Sequence, residues 1–453
     1  MELRDRLARL GYFQRRSGTA TTEQAATRAP AAQTEPSSRP GYPDVCDLVE
    51  GQHRSCPDGR CFVAETRYPL DHVHAGAALS DLLAQSGEAF ALLTGDGRLS
   101  GLDPTRAVLL DCETTGLAGG TGTYLFLIGL GYFADGRFCV DQFFLRDPSE
   151  ERAALGVLGE VLGRFEAVIT FNGKCFDWPL METRHLYARV LLQPQLPLHL
   201  DLLFPARRLF KRRLGSCSLG DLERGVLGLP PRQGDVPGWL IPTLYFEYLR
   251  RRDGRALLPV FEHNRADILA MLALAVRMAR HVSEPHTAPP HPQAGTRYPA
   301  AGWVGYPAPD TQSLPMHPLD LYCLGRLLEE AGQPDAAVLC FERALAELPP
   351  SEGEEVQARI AGVYKRLRDT DRAVQLWRSL IEHGARSIYP YVELAKHLEH
   401  GTRDFDGAAD LTRRALGLHG AAGGYTPPGR YYDERADLER RLARLERKLA
   451  RAR

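Results

Sequence analysis

The run AVLLDCETTG, residues 107–116, decides the fold. Apolar Ala107 to Leu110 mark a strand, and strand alternation sends Asp111 and Glu113 out of one face of a sheet. Two adjacent carboxylates repel each other unless a cation lies between them, so a pair held this way suits magnesium or manganese. Thr114, Thr115 and Gly116 close the strand with a turn that leaves room for a substrate end, which makes both threonines candidate contacts.

Outward from this strand, Thr123–Tyr132 and Arg137–Leu145 read as two further strands. They are followed by an amphipathic helix over about Glu150–Arg164, a strand at Ala167–Phe171, a helix from about Trp178, and a strand in PLHLDLL, residues 197–203. That order predicts an α/β layer with a mixed five-stranded sheet and flanking helices. In ITFNGKCFDWPLME a strand runs into a helix with Asn172 and Asp177 at the junction, the kind of place where ligands collect. In HNRADILAMLALAV, His263 and Asp267 are four apart and share one helical face. Asp111, Glu113, Asp177 and Asp267 would together surround two divalent ions, Mg2+ or Mn2+, suited to in-line phosphoryl displacement. His263, titrating near neutrality, is the candidate base for the attacking water.

These motifs resemble the DEDD exonuclease superfamily, whose pattern is DxE, then an N…FD segment, then a Tyr- or His-led segment ending in Asp. LAGGTGTYLFLIGLGYF, QFFLRDPSEE, ITFNGKCFDWPL, HLDLL and HNRAD further resemble the bacterial YprB-type RNase H-like proteins over about Ala107–Arg280. The resemblance implies an RNase H-like fold and a metal-dependent nuclease, often 3′→5′ in direction, acting on a single-stranded DNA or RNA end. It carries metal binding onto Asp111, Glu113, Asp177 and Asp267. The four-residue step from His263 to Asp267 is that of the branch with Tyr in the leading place.

Along the whole chain of 453 residues the expected organisation is an N-terminal helix and flexible segment (1–45), an accessory region (46–103), the RNase H-like domain (104–283) and a Pro-rich linker (284–316). Beyond it the chain reads as helical and repetitive. Gly325, Ala337, Phe341, Ala344 and Pro349 are echoed by Ala361, Tyr364, Ala373, Trp377 and Leu380, then by Ala395, Ala408, Thr412, Ala415 and Leu416. The steps from Ala337 to Ala373 to Ala408 are 36 and 35 residues, close to the period of about 34 of tetratricopeptide repeats. Residues 317–420 are therefore expected to be an all-α repeat domain that binds a protein or peptide, and 421–453 a capping helix with Leu438, Leu442, Leu445 and Leu449 on one stripe.

The net charge of −1 gives no global attraction to nucleic acid, so such binding needs a local basic face. Arg207, Arg208, Lys211 and Arg212, followed by Arg213, read either as a solvated face or as phosphate contacts, and Lys174 beside Asn172 carries the same two readings. His199 and Asp201 either border the site or satisfy local hydrogen bonds. Cys46, Cys56 and Cys61, near His53, His72 and His74, are zinc ligands or plain thiols; their spacing matches no finger pattern. No run is long enough to span a bilayer, and the N-terminus lacks the apolar core of a secretory signal, so the expected location is the cytoplasm. Besides a 3′→5′ exonuclease, two other functions fit the sequence: a non-catalytic nucleic-acid-binding adaptor, and an RNase H-like endonuclease. Nothing in the spacing distinguishes DNA from RNA.

Overall fold

The computed structural model describes residues 42–116, 122–192, 196–283, 316–348, 350–419 and 434–452. The expected N-terminal helix and flexible segment up to residue 41, and the Pro-rich linker over 284–315, lie outside the described residues.

At the centre is a mixed sheet of seven strands: β1 (Gly51–Cys56), β2 (Gly59–Pro69), β3 (Ala107–Thr114), β4 (Leu125–Ala134), β5 (Arg137–Phe144), β6 (Ala167–Thr170) and β7 (Leu198–Asp201). Their order is β1-β2-β5-β4-β3-β6-β7. Strand β3 pairs antiparallel with β4 and parallel with β6, and β6 pairs parallel with β7. The sequence predicts five of these strands. The hairpin β1–β2 comes from the stretch read as accessory, and it extends the sheet by pairing β2 with β5. Strand β1, GQHRSC, escapes recognition because an edge strand with little burial needs no apolar alternation. The hairpin β4–β5 turns on Asp135 and Gly136, both with positive φ (50° and 67°), the backbone that Asp-Gly supplies readily.

Alternation along β3 divides the core. Ala107 and Leu109 pack with α4 (Leu203–Leu214) and the long α7 (Leu258–Ser283), while Val108 and Leu110 pack on the opposite face with α2 (Glu151–Leu162) and α6 (Ile241–Arg251). On the second face Phe126 stacks on Tyr245, with ring centroids 4.1 Å apart. Asp111 and Glu113 continue the Ala107–Leu109 face, so the chain delivers both carboxylates beneath α7.

Strand β4 explains how α7 comes so close. A Cβ on Gly129 would lie 2.2 Å from Asn264 Oδ1, and one on Gly131 would lie 2.4 Å from Ile268 Cγ2. Two glycines at strand spacing thus receive two α7 residues at helical spacing.

The apolar cluster on the α7 face continues through α4 into the helical region. That region comprises α8 (Pro318–Glu330), α9 (Pro334–Glu347), α10 (Pro350–Arg366), α11 (Thr370–Glu382), α12 (Tyr389–His397) and α13 (Phe405–His419), followed by α14 (Glu434–Ala452). Small residues mark its crossings: a Cβ on Gly325 of α8 would stand 2.5 Å from the Phe341 ring of α9. Ala337, Ala361, Ala373, Ala395, Ala408 and Ala415 are fully buried. Helix α14 packs on this region through Leu438 and Leu445, and it surrounds the buried Glu399 carboxylate with Arg441, Arg444 and Lys448. Among the described residues no helix is long and apolar enough to cross a membrane.

Candidate functional site

Asp111 lies where β3 runs under α7, and Asn264 reaches down from that helix to hold it. Asn264 Nδ2 donates to Asp111 Oδ2 at 2.8 Å and to the Asp111 main-chain oxygen at 3.2 Å. Asn264 Oδ1 in turn accepts from Gln142 Nε2 at 2.9 Å, and the same amide nitrogen donates to Phe261 O at 2.9 Å. This chain of amides spans β5, α7 and β3 and fixes the Asp111 carboxylate in one orientation.

The electrostatics show that the acids share one environment. Burial, followed by the charges of Asp267, Glu113 and Asp177, pushes the Asp111 carboxyl well above the usual range. Glu113 is raised to about 7, chiefly by burial, with His263 pulling it down and Asp267 and Asp177 adding to the rise. Asp177, the first residue of α3 (Asp177–Ala188), is raised to about 7 by burial, with the Asp201 charge adding to it. Four carboxylates from a strand, a strand-to-helix junction and a late helix therefore act on one another, which oxygen-ligated divalent cations relieve.

They do not yet converge on one point. Among the described residues no group of three or more His, Cys, Asp or Glu side chains stands close enough together to hold a metal ion. Cys46, Cys56 and Cys61 are therefore not gathered into a zinc cluster, and Cys56 Sγ donates instead to the Ala153 main-chain oxygen at 3.6 Å. At the acidic site Asp267 already has partners: its Oδ1 is paired with Arg232 Nη2 at 2.6 Å, and its Oδ2 lies 3.6 Å from His263 Nε2.

His263 is held from its other side by Asp235, whose Oδ1 is 2.6 Å from His263 Nδ1. Burial lowers the imidazole pKa, but Asp267, Asp235 and Glu113 outweigh it, and the net shift is upward.

The strand-to-helix junction is built on Asn172, which takes a left-handed backbone (φ 65°), and on Gly173, where a Cβ would meet Thr170 at 2.5 Å. Asp201 secures the turn. Its carboxylate accepts from the main-chain nitrogens of Asn172 (2.8 Å), Lys174 (3.0 Å) and Leu203 (3.1 Å). Its place is thus a local one, beside His199, whose Nε2 is 2.8 Å from Thr170 Oγ1. Replacing Asp201 with Ala would strip a charged acceptor from three main-chain donors. The expected cost is about 2–4 kcal/mol, with lost positioning of Asp177. Denaturant unfolding checks this, and an unchanged midpoint would contradict it.

The other sequence candidates divide. Asn172 and Arg207 line, with Asp111 and Asp267, an open cleft of about 470 Å³ whose far wall is Ser216–Leu219. The Thr114 hydroxyl donates to Gly116 O (2.9 Å) and the Thr115 hydroxyl accepts from Tyr124 N (2.8 Å), so both close the turn after β3. Lys174 and Lys211 are exposed. Arg208 and Arg212 are committed to the helical region: Arg208 pairs with Glu330 at 2.7 Å and Arg212 with Glu355 at 2.7 Å, while neighbouring Arg213 pairs with Asp320 at 2.7 Å. Much of the basic run on α4 is therefore an internal docking face.

Sequence reasoning missed Asn264, Gln142, Arg232 and Asp235. Of these only Asn264 carried a local signal, one turn before Asp267 on the α7 face that Gly129 receives.

A family model described as RNase_H superfamily matches residues 108–279, a span that contains every acid of the site. The chain is also 31% identical over 371 residues to uncharacterized protein YprB of Bacillus subtilis (strain 168), an alignment that covers 79% of this chain and 81% of that protein. With this fold, this match and this similarity along most of both chains, the protein belongs to the YprB family and carries an RNase_H superfamily domain.

Proposed function

We propose that the protein is a divalent-metal-dependent nuclease, a hydrolase of phosphodiester bonds that works 3′→5′ from a single-stranded DNA or RNA end. The observation that carries this reading is the placing of Asp111 and Glu113 on the sheet face beneath α7, beside an open cleft, where burial and the charges of Asp267 and Asp177 raise both carboxyls. A buried set of hard oxygen donors that repel one another fits Mg2+ or Mn2+ in donor chemistry. Asp111 and Glu113 would hold the ion, with Asp177 and Asp267 completing the set. Such an ion supplies Lewis-acid activation of water and neutralises charge at the phosphate.

The chain's own groups do the rest. The Gln142–Asn264 relay keeps Asp111 oriented, and the cleft gives a strand end a route to it. His263 Nε2 faces the acids while Asp235 fixes Nδ1, so the imidazole is placed to take and pass on a proton at Nε2. Arg207, on the cleft wall, is placed for a substrate phosphate.

The packing of consecutive helices with small residues at their crossings, and the sequence period behind them, support a tetratricopeptide-type reading of the helical region and hence a protein or peptide partner.

The test uses purified full-length protein with 5′-labelled linear single-stranded DNA and RNA and with circular single-stranded DNA, in Mg2+ or Mn2+. Progressive shortening of a linear substrate that stops in chelator, with the circle intact, is expected. Nicking of the circle would make the enzyme endonucleolytic. Intact substrates throughout, at high enzyme concentration, would remove the catalytic reading and leave a binding scaffold.

A further inference from the structure

Between α5 (Leu219–Gly225) and α6 the chain runs through residues 226–240, where Pro230, Pro231 and Pro237 bar regular structure and Gly228 and Gly234 take left-handed backbones (φ 69° and 73°). This loop lies against α7 and presents two opposite charges to the active-site edge of that helix. Arg232 Nη2 is 2.6 Å from Asp267 Oδ1 and 2.5 Å from Glu223 Oε1, and Arg232 Nη1 reaches the His263 main-chain oxygen at 3.4 Å. Three residues on, Asp235 takes His263 Nδ1.

Both oxygens of Asp267 consequently face cationic or ring nitrogens, Oδ1 facing Arg232 and Oδ2 facing His263. On β3 the situation is the reverse. The Asp111 carboxylate has only one oxygen engaged, by Asn264, and the Glu113 carboxylate makes no hydrogen bond or ion pair among the described residues. The paired acid oxygens of the site are those of Asp267 on α7, and the unpaired ones are on β3 and on Asp177 at the start of α3.

We propose that Arg232 is the built-in second positive charge of this site: its guanidinium fills the side of Asp267 that a second divalent ion would need, so the substrate-free protein holds one divalent ion, on the Asp111–Glu113 side. A guanidinium can do this persistently because it stays charged at every physiological pH, and its planar fork suits two carboxylates at once. Glu223 keeps Arg232 aligned, and the proline-rich backbone limits how far the loop can carry it away. The inference rests on the nuclease reading for the identity of the acids, but it is tested by ion count rather than by turnover.

Metal-free full-length protein is titrated with Mn2+ at pH 7.5, and bound ions are counted by calorimetry and by the loss of free-Mn2+ resonance. The wild type is expected to bind one ion per chain. Arg232→Met is expected to bind two, with Mn2+ affinity at the Asp267 side raised at least ~10-fold once the competing charge has gone. Because Arg232→Met leaves the Glu223 carboxylate unpaired, the double variant Arg232→Met/Glu223→Gln, neutral at both positions, is titrated in parallel and should give the same count.

Two ions of similar affinity in the wild type, or a single ion in both folded variants, would overturn the proposal even with hydrolysis intact. If no protein hydrolyses nucleic acid but the count rises from one to two, the nuclease reading falls and the role of Arg232 stands. Absence of Mn2+ binding in all three proteins overturns the one-ion site together with the metal-dependent reading.

Discussion

Asp111→Asn is expected to lower turnover by about 10³-fold, equivalent to roughly 4 kcal/mol of transition-state stabilisation, and at the same time to raise the melting temperature of the metal-free protein. The two effects have one cause. Burial and the charges of Asp267, Glu113 and Asp177 make ionised Asp111 costly, and an amide of the same shape removes that charge while its oxygen can still accept from Asn264 Nδ2. A gain in stability at pH 8 follows, because there the folded wild type bears the cost of a charge that the amide lacks. The pH dependence has a definite sign. Glu113 and Asp177 are both raised to about 7, so in the folded state they keep protons that the unfolded chain has already released. Their contribution is complete below ordinary carboxylate values and is lost as pH rises through about 7. The metal-free wild type should therefore melt at progressively lower temperature between pH 5 and pH 8, and Asp111→Asn should flatten that decline. Mg2+ at pH 8 should restore the wild type and leave the variant nearly unchanged. Thermal melts with and without Mg2+ decide the matter: a variant that melts lower, or gains as much from Mg2+ as the wild type, would show that the acids do not burden one another.

What sequence could show of this site follows from the range over which its patterns act. The DxE pair is legible because a strand repeats every two residues, and His263 with Asp267 because a helix returns a side chain every four. Asn172 and Asp177 mark their junction because a strand pattern gives way there to a helix. Arg232 and Asp235 are invisible in PPRQGDVPG, since a proline-rich loop has no period and its target helix lies about thirty residues further on. The amide relay is hidden for the same reason, with 122 residues between Gln142 and Asn264. The basic run on α4 illustrates the converse. Its spacing is equally compatible with water, phosphate or carboxylate, and the acids that settle Arg208, Arg212 and Arg213 come 122, 143 and 107 residues later. Local chemistry nominates charged residues; only the packed chain assigns their partners.

Gly129→Val should be the most damaging change made outside the acidic residues themselves. Gly129 and Gly131 lie on the face of β4 that receives α7, and the 2.2 Å and 2.4 Å approaches to Asn264 Oδ1 and Ile268 Cγ2 are closer than any Cβ tolerates. Nor can Asn264 swing aside freely, because Gln142 and Asp111 hold it at both ends of its amide and it is fully buried. The helix as a whole has to lift, which costs about 2–3 kcal/mol in overpacking. Lifting α7 also moves His263 and Asp267 away from Asp111 and Glu113, and a displacement of about 1 Å at such a site is worth roughly 10²-fold in rate. Gly136→Ala provides the contrast. Gly136 sits in the β4–β5 turn at φ 67° with open space around it, so Ala there introduces backbone strain of about 1 kcal/mol and leaves α7 in place. Denaturant unfolding and turnover measured on both variants separate the two kinds of loss. Both should be destabilised, but only Gly129→Val should lose activity at temperatures where it remains folded. If folded Gly129→Val turned over like the wild type, the height of α7 above β4 would not be what sets the reach of Asp267 and His263.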